Sequence, residues 1–226
     1  MRVILLPGMD GGVELSESFV AAAPDGCDVQ VIALPDDPAA NYDLLVQQIA
    51  PTLVEGKPVH LIAESFSGPL GILLAAAYPK HVQTLSLIAT FAKSPIGRWA
   101  AWLPWILLFR WPIPALVAET FLINGHPDVL PVLRRSLANC SPATLQSRVQ
   151  CVAQVDVSDS LPEIQCPVFY LRPEQDRLIS RRCANHILQR LPTTHLITMP
   201  GPHLILQSQP AESWVRLCRA WEASGE

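Results

Sequence analysis

The sequence predicts an α/β protein with a mostly parallel six-stranded sheet, helices on both faces and a helical insertion. Two observations carry this prediction. Short apolar runs alternate with helix-forming segments in both halves of the chain, and the stretch between residues 91 and 165 lacks a strand pattern. Strand and helix in alternation produce a parallel sheet, because each crossover helix covers one face of it.

Composition limits the function classes. The chain has 226 residues, 50% of them hydrophobic and 16% charged, which suits one folded domain with a sizeable core. The net charge is −4 and no basic patch occurs, so no nucleic-acid partner is expected. No C-x-x-C or H-E-x-x-H spacing occurs, so no metal site is expected. The N-terminal apolar run is too short for a signal peptide. The six cysteines are scattered, which favours free thiols in a reducing, cytoplasmic setting.

The strands are predicted from apolar runs that end in turn residues. Helical spacing predicts helices between them, including one capped by Asn41 or Asp43, one capped by Ser180, and a closing helix over Pro210–Ala223. The predicted strands are Val3–Leu6, Val29–Leu34, Val59–Ala63, Val82–Ala89, Cys166–Leu171 and His195–Met199. Residues 1–91 and 165–226 are predicted to form the core domain, and residues 92–164 a helical cap inserted in it.

The cap segment Ile96–Ala118 carries four of the six tryptophans. Prolines and two arginines interrupt its apolar run, so we do not expect it to span a membrane. We expect short helices that form a lid instead. We expect Trp102 and Trp105 to bind the substrate in an apolar groove. Ordinary helical core is the alternative for these tryptophans, and contact with a lipid interface stays open.

The central stretch is Leu61–Gly68, an apolar strand that breaks into a tight turn before a helix. This is the setting of a nucleophile elbow, whose strained turn requires small residues two before and two after the nucleophile. Around Ser65 these residues are Ala63 and Ser67, which favours Ser65 over Ser67 as the nucleophile. The alternative is that both serines only cap the following helix.

A glycine-rich loop, Pro7–Gly12, follows the first predicted strand. Asp36 and Asp37 after the next strand would suit a dinucleotide site, but the glycines lack the G-x-G-x-x-G spacing. The favoured interpretation is an oxyanion loop, in which Gly8 lets the chain turn and Met9 supplies a backbone N–H.

Three polar residues each follow the carboxyl end of a predicted strand, where parallel sheets bind ligands: Ser65, Asp176 and His203. Glu174, two residues before Asp176, is the alternative to Asp176 as the functional carboxylate. Glu64 is expected to be a solvated or locally bonded carboxylate. The remaining histidines are expected to be structural (His60, His195) or on the surface (His81, His126, His186).

In this order, the motifs resemble the α/β-hydrolase superfamily, in particular small capped carboxylesterases and pimeloyl-carrier-protein methyl ester esterases. The motifs are LPGMDGG at Leu6–Gly12, AESFSG at Ala63–Gly68, RPEQDRL at Arg172–Leu178 and GPH at Gly201–His203. The sequence departs from the family in Ala63 and Ser67, where glycines are usual. It also departs in a first strand near the N-terminus, which predicts that the family's initial antiparallel hairpin is absent.

The resemblance implies a serine hydrolase that cleaves esters or thioesters with an apolar acyl part. Ser65 would be the nucleophile, His203 the base and Asp176 the acid, and the backbone N–H groups of Met9 and Phe66 would receive the oxyanion. The substrate would be a small molecule, free or attached to a carrier, and no cofactor is implied. Two alternatives stay open: an acyltransferase with the same triad, and a non-catalytic binding protein with this fold.

Overall fold

The computed structural model describes residues 1–223 and confirms the predicted sheet. Six strands pair in the order β2-β1-β3-β4-β5-β6, and every pair is parallel. The chain builds β2 on one side of β1 and then crosses to β3 on the other, so the winding direction reverses between β1 and β3. Ligands of open parallel sheets bind beyond the strand ends at such a switch point. The strands are β1 Arg2–Leu6, β2 Asp28–Val31, β3 Val59–Glu64, β4 Val82–Ile88, β5 Val168–Pro173 and β6 His195–Met199.

Ten α-helices alternate with the strands and fill the insertion in residues 1–223. Asn41 caps α2, since its Oδ1 accepts a hydrogen bond from the Leu44 N–H at 3.0 Å. Ser180 precedes α8 but makes no side-chain cap bond, contrary to the expectation. The helices are α1 Glu17–Ala21, α2 Tyr42–Val54, α3 Gly68–Ala77, α4 Trp105–Phe109, α5 Ala115–Ala118, α6 Val129–Ala138, α7 Pro142–Gln154, α8 Arg181–Arg190, α9 Ile205–Ser208 and α10 Pro210–Ala223.

The second strand is shorter than predicted. It ends at Val31 because the Leu34 N–H leaves the sheet and donates to the Gly11 carbonyl oxygen at 2.8 Å. This bond ties the segment after β2 to the loop after β1. The apolar run to Leu34 therefore continues as irregular backbone beside the candidate site.

Both faces of the sheet are covered, as the alternation predicts. On one face, Leu61 and Ala63 of β3 belong to a core cluster with residues of α2, α3 and α8. On the other face, Ile62 packs in a cluster with Phe19 of α1 and Trp214 of α10. Successive residues of β3 thus point to opposite buried faces, which explains why the whole strand is buried.

The insertion between β4 and β5 is helical. Within it, strand-like pairing is limited to an isolated antiparallel bridge between Lys93 and Asp156, whose side chains form an ion pair at 3.0 Å. This bridge joins the two ends of the insertion, so the chain leaves the core and returns at one place. Val152 and Leu161 nevertheless belong to the main core cluster, so the later part of the insertion packs on the sheet layer. The domain boundaries at 91 and 165 remain a prediction.

Two further expectations concern the membrane and the cysteines. Among the helices of residues 1–223, none combines the length and apolar character that a bilayer crossing requires. All six cysteines are free thiols, of which Cys140 is buried and the others are half-buried.

Candidate active site

The predicted nucleophile sits on a strained turn directly after β3. Ser65 has a φ of 49°, in the left-handed region that residues with a Cβ seldom adopt. Packing around the turn requires small neighbours: a Cβ on Gly71 would lie 2.6 Å from the Cβ of Ala63, and one on Gly68 would overlap the Thr90 side chain. The Thr90 hydroxyl donates to the Ser65 carbonyl oxygen and so helps to hold the turn.

The structure brings Ser65, His203 and Asp176 together in one hydrogen-bonded chain. The Ser65 Oγ lies 2.9 Å from the His203 Nε2, and the His203 Nδ1 lies 2.9 Å from the Asp176 Oδ2. The backbone N–H groups of Leu178 and Ile179 both donate to the Asp176 Oδ1 at 2.8 Å. Because an ionised carboxylate only accepts, the Nδ1 carries the proton of a neutral imidazole and leaves the Nε2 free to accept from the serine.

The rival residues are placed differently. Ser67 is fully buried and its hydroxyl donates to the Pro7 carbonyl oxygen at 2.5 Å, so it ties the elbow to the end of β1. Glu174 is exposed, and Asp176 is the carboxylate that contacts His203. The arrangement therefore offers one hydroxyl and one carboxylate to the imidazole.

The loop Pro7–Gly12 lies beside the nucleophile. A Cβ built on Gly8 would be 4.0 Å from the Cβ of Ser65. The turn is closed by a hydrogen bond of 3.1 Å from the Gly11 N–H to the Gly8 carbonyl oxygen, and its left-handed residue is Gly11 with a φ of 70°. The expectation was that Gly8 lets the chain turn, but the glycine with the left-handed backbone conformation is Gly11. Asp36, which was considered as a residue that binds a dinucleotide, accepts a hydrogen bond of 3.0 Å from the Ser141 N–H.

A buried arginine, which the sequence did not reveal, holds this loop. Arg148 of α7 is 3% exposed and donates to the carbonyl oxygens of Met9 at 2.7 Å and Pro35 at 2.9 Å. Its guanidinium carbon lies 5.8 Å from the ring centroid of Phe66. It also fills the space beside Gly11, where a Cβ would come within 2.5 Å of an Arg148 nitrogen. One side chain from the insertion thus contacts both residues expected to form the oxyanion hole.

The helical spacing of α7 could have indicated that Arg148 is buried. Leu145, Val149 and Val152 form the buried stripe of this helix, and Arg148 falls within the same stripe. A charged residue in an apolar stripe indicates a buried polar partner. The partners are backbone carbonyls more than a hundred residues away in sequence, so the stripe reveals the burial but not the contact.

Glu64, next to the nucleophile, is buried rather than solvated. It is 2% exposed, and its Oε2 accepts from the Gln207 Nε2 at 3.1 Å while its Oε1 has no partner within residues 1–223. Burial raises its pKa from 4.5 to about 7, opposed by the Gln207 hydrogen bond and the nearby His203. Asp10 in the loop is also buried, which raises its pKa, although Ser136 donates to it at 2.6 Å. Burial therefore raises the pKa of two carboxyl groups beside the site.

The two tryptophans expected at the substrate differ in exposure. Trp102 is 89% exposed, so within residues 1–223 it lines no enclosed pocket. Trp105 is half-buried, donates from its indole nitrogen to the Ala100 carbonyl oxygen at 2.7 Å, and stacks on Phe109. In this segment Trp99, Trp102, Leu107 and Leu108 are exposed, whereas Trp105 and Phe109 are half-buried. The length and spacing of such short helices could not predict this difference.

The other histidines lie outside the chain of hydrogen bonds from Ser65 to Asp176; His81 and His126, expected on the surface, are half-buried. His60 is buried, stacks on Trp221 and lies 2.9 Å from the Thr84 hydroxyl, as a structural residue does. His195 is exposed and stacks on Phe169. His186 was expected on the surface, but it is half-buried and its Nε2 lies 2.7 Å from the Ser158 hydroxyl. None of these contacts involves the serine–histidine–aspartate chain.

A parallel sheet with a serine on a strained turn after β3, an aspartate after β5 and a histidine after β6 is the arrangement of the α/β hydrolases. The chain has the α/β-hydrolase fold, and the resemblance predicted from the motifs is confirmed. An esterase structure from Exiguobacterium antarcticum superposes with a TM-score of 0.81 at 14% identity, covering 98% of this chain and 92% of that one.

Two curated proteins are similar in sequence. A protein from Caulobacter sp. named as a carbamate hydrolase, RutD, is 24% identical over 168 residues, 64% of this chain. That match spans 58% of the relative's own length, which is less than two thirds. A pimeloyl-[acyl-carrier protein] methyl ester esterase from Neisseria meningitidis is 24% identical over 215 residues, 88% of this chain and 69% of that protein. No protein-family model matches the chain.

Proposed function

We propose that this protein is a serine hydrolase that cleaves carboxylic esters or thioesters. The observation that carries the proposal is the hydrogen-bonded chain from Asp176 through His203 to Ser65, with 2.9 Å at each step. The names of the two sequence relatives, a carbamate hydrolase and a methyl ester esterase, support hydrolysis of acyl compounds.

In the proposed mechanism, the Ser65 Oγ attacks the carbonyl carbon while its proton passes to the His203 Nε2. Asp176 accepts from the Nδ1–H and stabilises the imidazolium that forms. The developing oxyanion is received by the backbone N–H groups of Met9 and Phe66, each contributing about 3 kcal/mol. His203 then protonates the leaving alcohol or thiol, and water attacks the acyl-enzyme to release the acid and regenerate Ser65.

The substrate class is the finer part of the proposal: an apolar acyl group on a small alcohol or thiol, free or attached to a carrier. Support comes from the apolar composition of the insertion and from the relative whose name includes an acyl-carrier substrate. We assign residues 92–164 as the cap over this site, because Arg148 of that segment contacts the loop beside the nucleophile. In this cap the half-buried Trp105 is the candidate acyl contact, together with Phe109 on which it stacks.

Hydrolysis of p-nitrophenyl esters graded from acetyl to decanoyl tests the proposal. We expect Ser65→Ala to lower kcat by on the order of 10³ or more and its neighbour Ser67→Ala, the matched control, to keep most activity. We expect kcat/KM to rise with acyl length until the pocket is full, by up to about 0.8 kcal/mol per methylene. Absence of any turnover in the folded protein would refute the hydrolase. A higher kcat/KM for the acetyl ester than for longer esters would refute the apolar acyl site but not the hydrolase.

A further inference from the structure

The outer side of the insertion exposes an unusual run of large apolar side chains. Trp102 is 89% exposed, Trp111 77% and Trp99 67%, which are high values for the residue type with the largest apolar area. We define the tryptophan face by its six exposed members: Trp99, Trp102, Leu103, Leu107, Leu108 and Trp111. All six lie within residues 99–111, and large exposed apolar areas on soluble monomers mark sites of contact with a partner, ligand or membrane.

The backbone under the tryptophan face is held independently of it. The 3₁₀ turn Arg98–Trp102 and helix α4 both pack on α7. The Gln146 Oε1 accepts from the Ile106 N–H at 2.9 Å, and the Gln150 Nε2 donates to the Ala101 carbonyl oxygen at 3.4 Å. The inward side chains, such as the fully packed Ala100, complete this contact. The backbone that carries the outward side chains is therefore held in place by α7.

The charge around the tryptophan face is one-sided. The segment 94–118 contains two arginines, Arg98 and Arg110, and no acidic residue, in a chain with a net charge of −4. Both arginines are exposed, and each directly precedes an exposed tryptophan of the face, Trp99 and Trp111. Arg134 of α6 lies near the same segment, since its guanidinium donates to the Ile113 carbonyl oxygen at 3.1 Å. A local positive surface on an acidic protein favours an anionic partner.

We propose that the tryptophan face docks on an anionic lipid surface. Indole rings partition to the headgroup level of a bilayer, leucines enter the acyl region beneath, and flanking arginines meet the lipid phosphates. A stable protein–protein interface needs about 20–30 residues on each side, several times the size of this face. Insertion into a bilayer needs only a few apolar side chains and nearby positive charge.

This docking needs no chemistry at the triad. It would bring the proposed active site to the phase in which long-chain acyl esters dissolve. The contact is peripheral, since no helix in residues 1–223 is long and apolar enough to cross the bilayer.

Co-sedimentation with large vesicles, at about 0.1 M salt to limit screening, tests the proposal. We expect the protein to bind vesicles of phosphatidylcholine and phosphatidylglycerol more tightly than vesicles of phosphatidylcholine alone. Trp99→Ser/Trp111→Ser should weaken binding to both by about tenfold or more. Arg98→Gln/Arg110→Gln should weaken binding to the anionic vesicles by about fivefold per arginine. Val215→Ser, which removes an exposed apolar side chain from α10, is the matched control and should bind as the parent does.

Tryptophan fluorescence gives a second readout. Trp214 and Trp221 are buried in the core, so a blue shift on adding vesicles, and quenching by brominated lipids, would come from the insertion. Ser65→Ala should bind vesicles like the parent, which separates docking from hydrolysis. Thermal melting should show that each variant is folded.

Three results would overturn the proposal. They are no vesicle binding by the parent, equal binding by Trp99→Ser/Trp111→Ser, and self-association of the parent that this double variant abolishes in place of lipid binding. The last would assign the face to a second copy of the chain.

Discussion

Arg148→Met would remove the buried guanidinium while keeping an apolar side chain of similar length. The change deletes two charged hydrogen bonds, to the Met9 and Pro35 carbonyl oxygens, at distances of 2.7 and 2.9 Å. Such bonds contribute roughly 1.5–3 kcal/mol each, offset by the cost of burying the charge, so we expect a net loss of about 2–4 kcal/mol in stability. Release of Met9 would displace the backbone N–H that we propose as an oxyanion donor. Loss of one such donor lowers kcat by about 10²–10³.

The assay is hydrolysis of p-nitrophenyl acetate well below the melting temperature of each variant. We expect Arg148→Met to lower kcat with little change in KM, and Arg148→Lys to recover part of it because its ammonium can reach one carbonyl. Gln150→Ala is the matched control: it removes a hydrogen bond from the same helix that leads to Ala101 rather than to the loop. A folded Arg148→Met protein with the parent kcat would refute the idea that this arginine positions the oxyanion loop.

Three other changes give defined outcomes. Asp176→Asn should lower kcat by on the order of 10³ or more while Glu174→Gln changes it little, since Asp176 alone of the two contacts His203; the reverse ranking would move the acid to Glu174. For Glu64, burial raises the pKa from 4.5 to about 7, so its contribution to stability is present below 4.5 and is lost as the pH rises through 7. Glu64→Gln should therefore match the parent near pH 5 and be more stable near pH 8 by up to roughly 3 kcal/mol, and thermal melts with no such divergence would contradict the buried carboxyl. Gly68→Ala should cost about 1–3 kcal/mol by overlapping Thr90, and adding Thr90→Ala should restore part of it in a denaturant titration.

The sequence was sufficient for the sheet and for the residues at its carboxyl edge. Parallel strands that alternate with helices bring successive strand ends to one edge, so Ser65, Asp176 and His203 could be grouped without coordinates. Their separation of 2.9 Å at each step depends on packing that involves residues far apart in sequence, such as Thr90 against Gly68.

The polar contacts around the site could not be predicted in the same way. Glu64 was expected to be solvated or locally bonded, yet its partner Gln207 lies on a short helix after β6. Arg148 bonds to backbone carbonyls, which carry no residue-specific signal. Burial of a charged side chain depends on a tertiary contact, so local patterning shows at most that the residue lies on an apolar face.

The orientation of side chains in the insertion could not be read from the sequence. Trp102, expected in an apolar groove at the substrate, is a residue that is 89% exposed. In helices of only five residues, helical periodicity does not define an inner and an outer face. The inner side of this segment packs on α7, a distant element whose Gln146 and Gln150 bind its backbone.

The central claim, that Ser65 is a nucleophile activated by His203, is tested most directly by covalent labelling with a fluorophosphonate followed by peptide mapping. We expect one adduct per chain, on the peptide that contains Ser65. Labelling should disappear in Ser65→Ala, slow by on the order of 10³ in His203→Ala, and persist in Ser67→Ala. A folded protein that forms no adduct, or one whose adduct maps to Ser67 or elsewhere, would contradict the account.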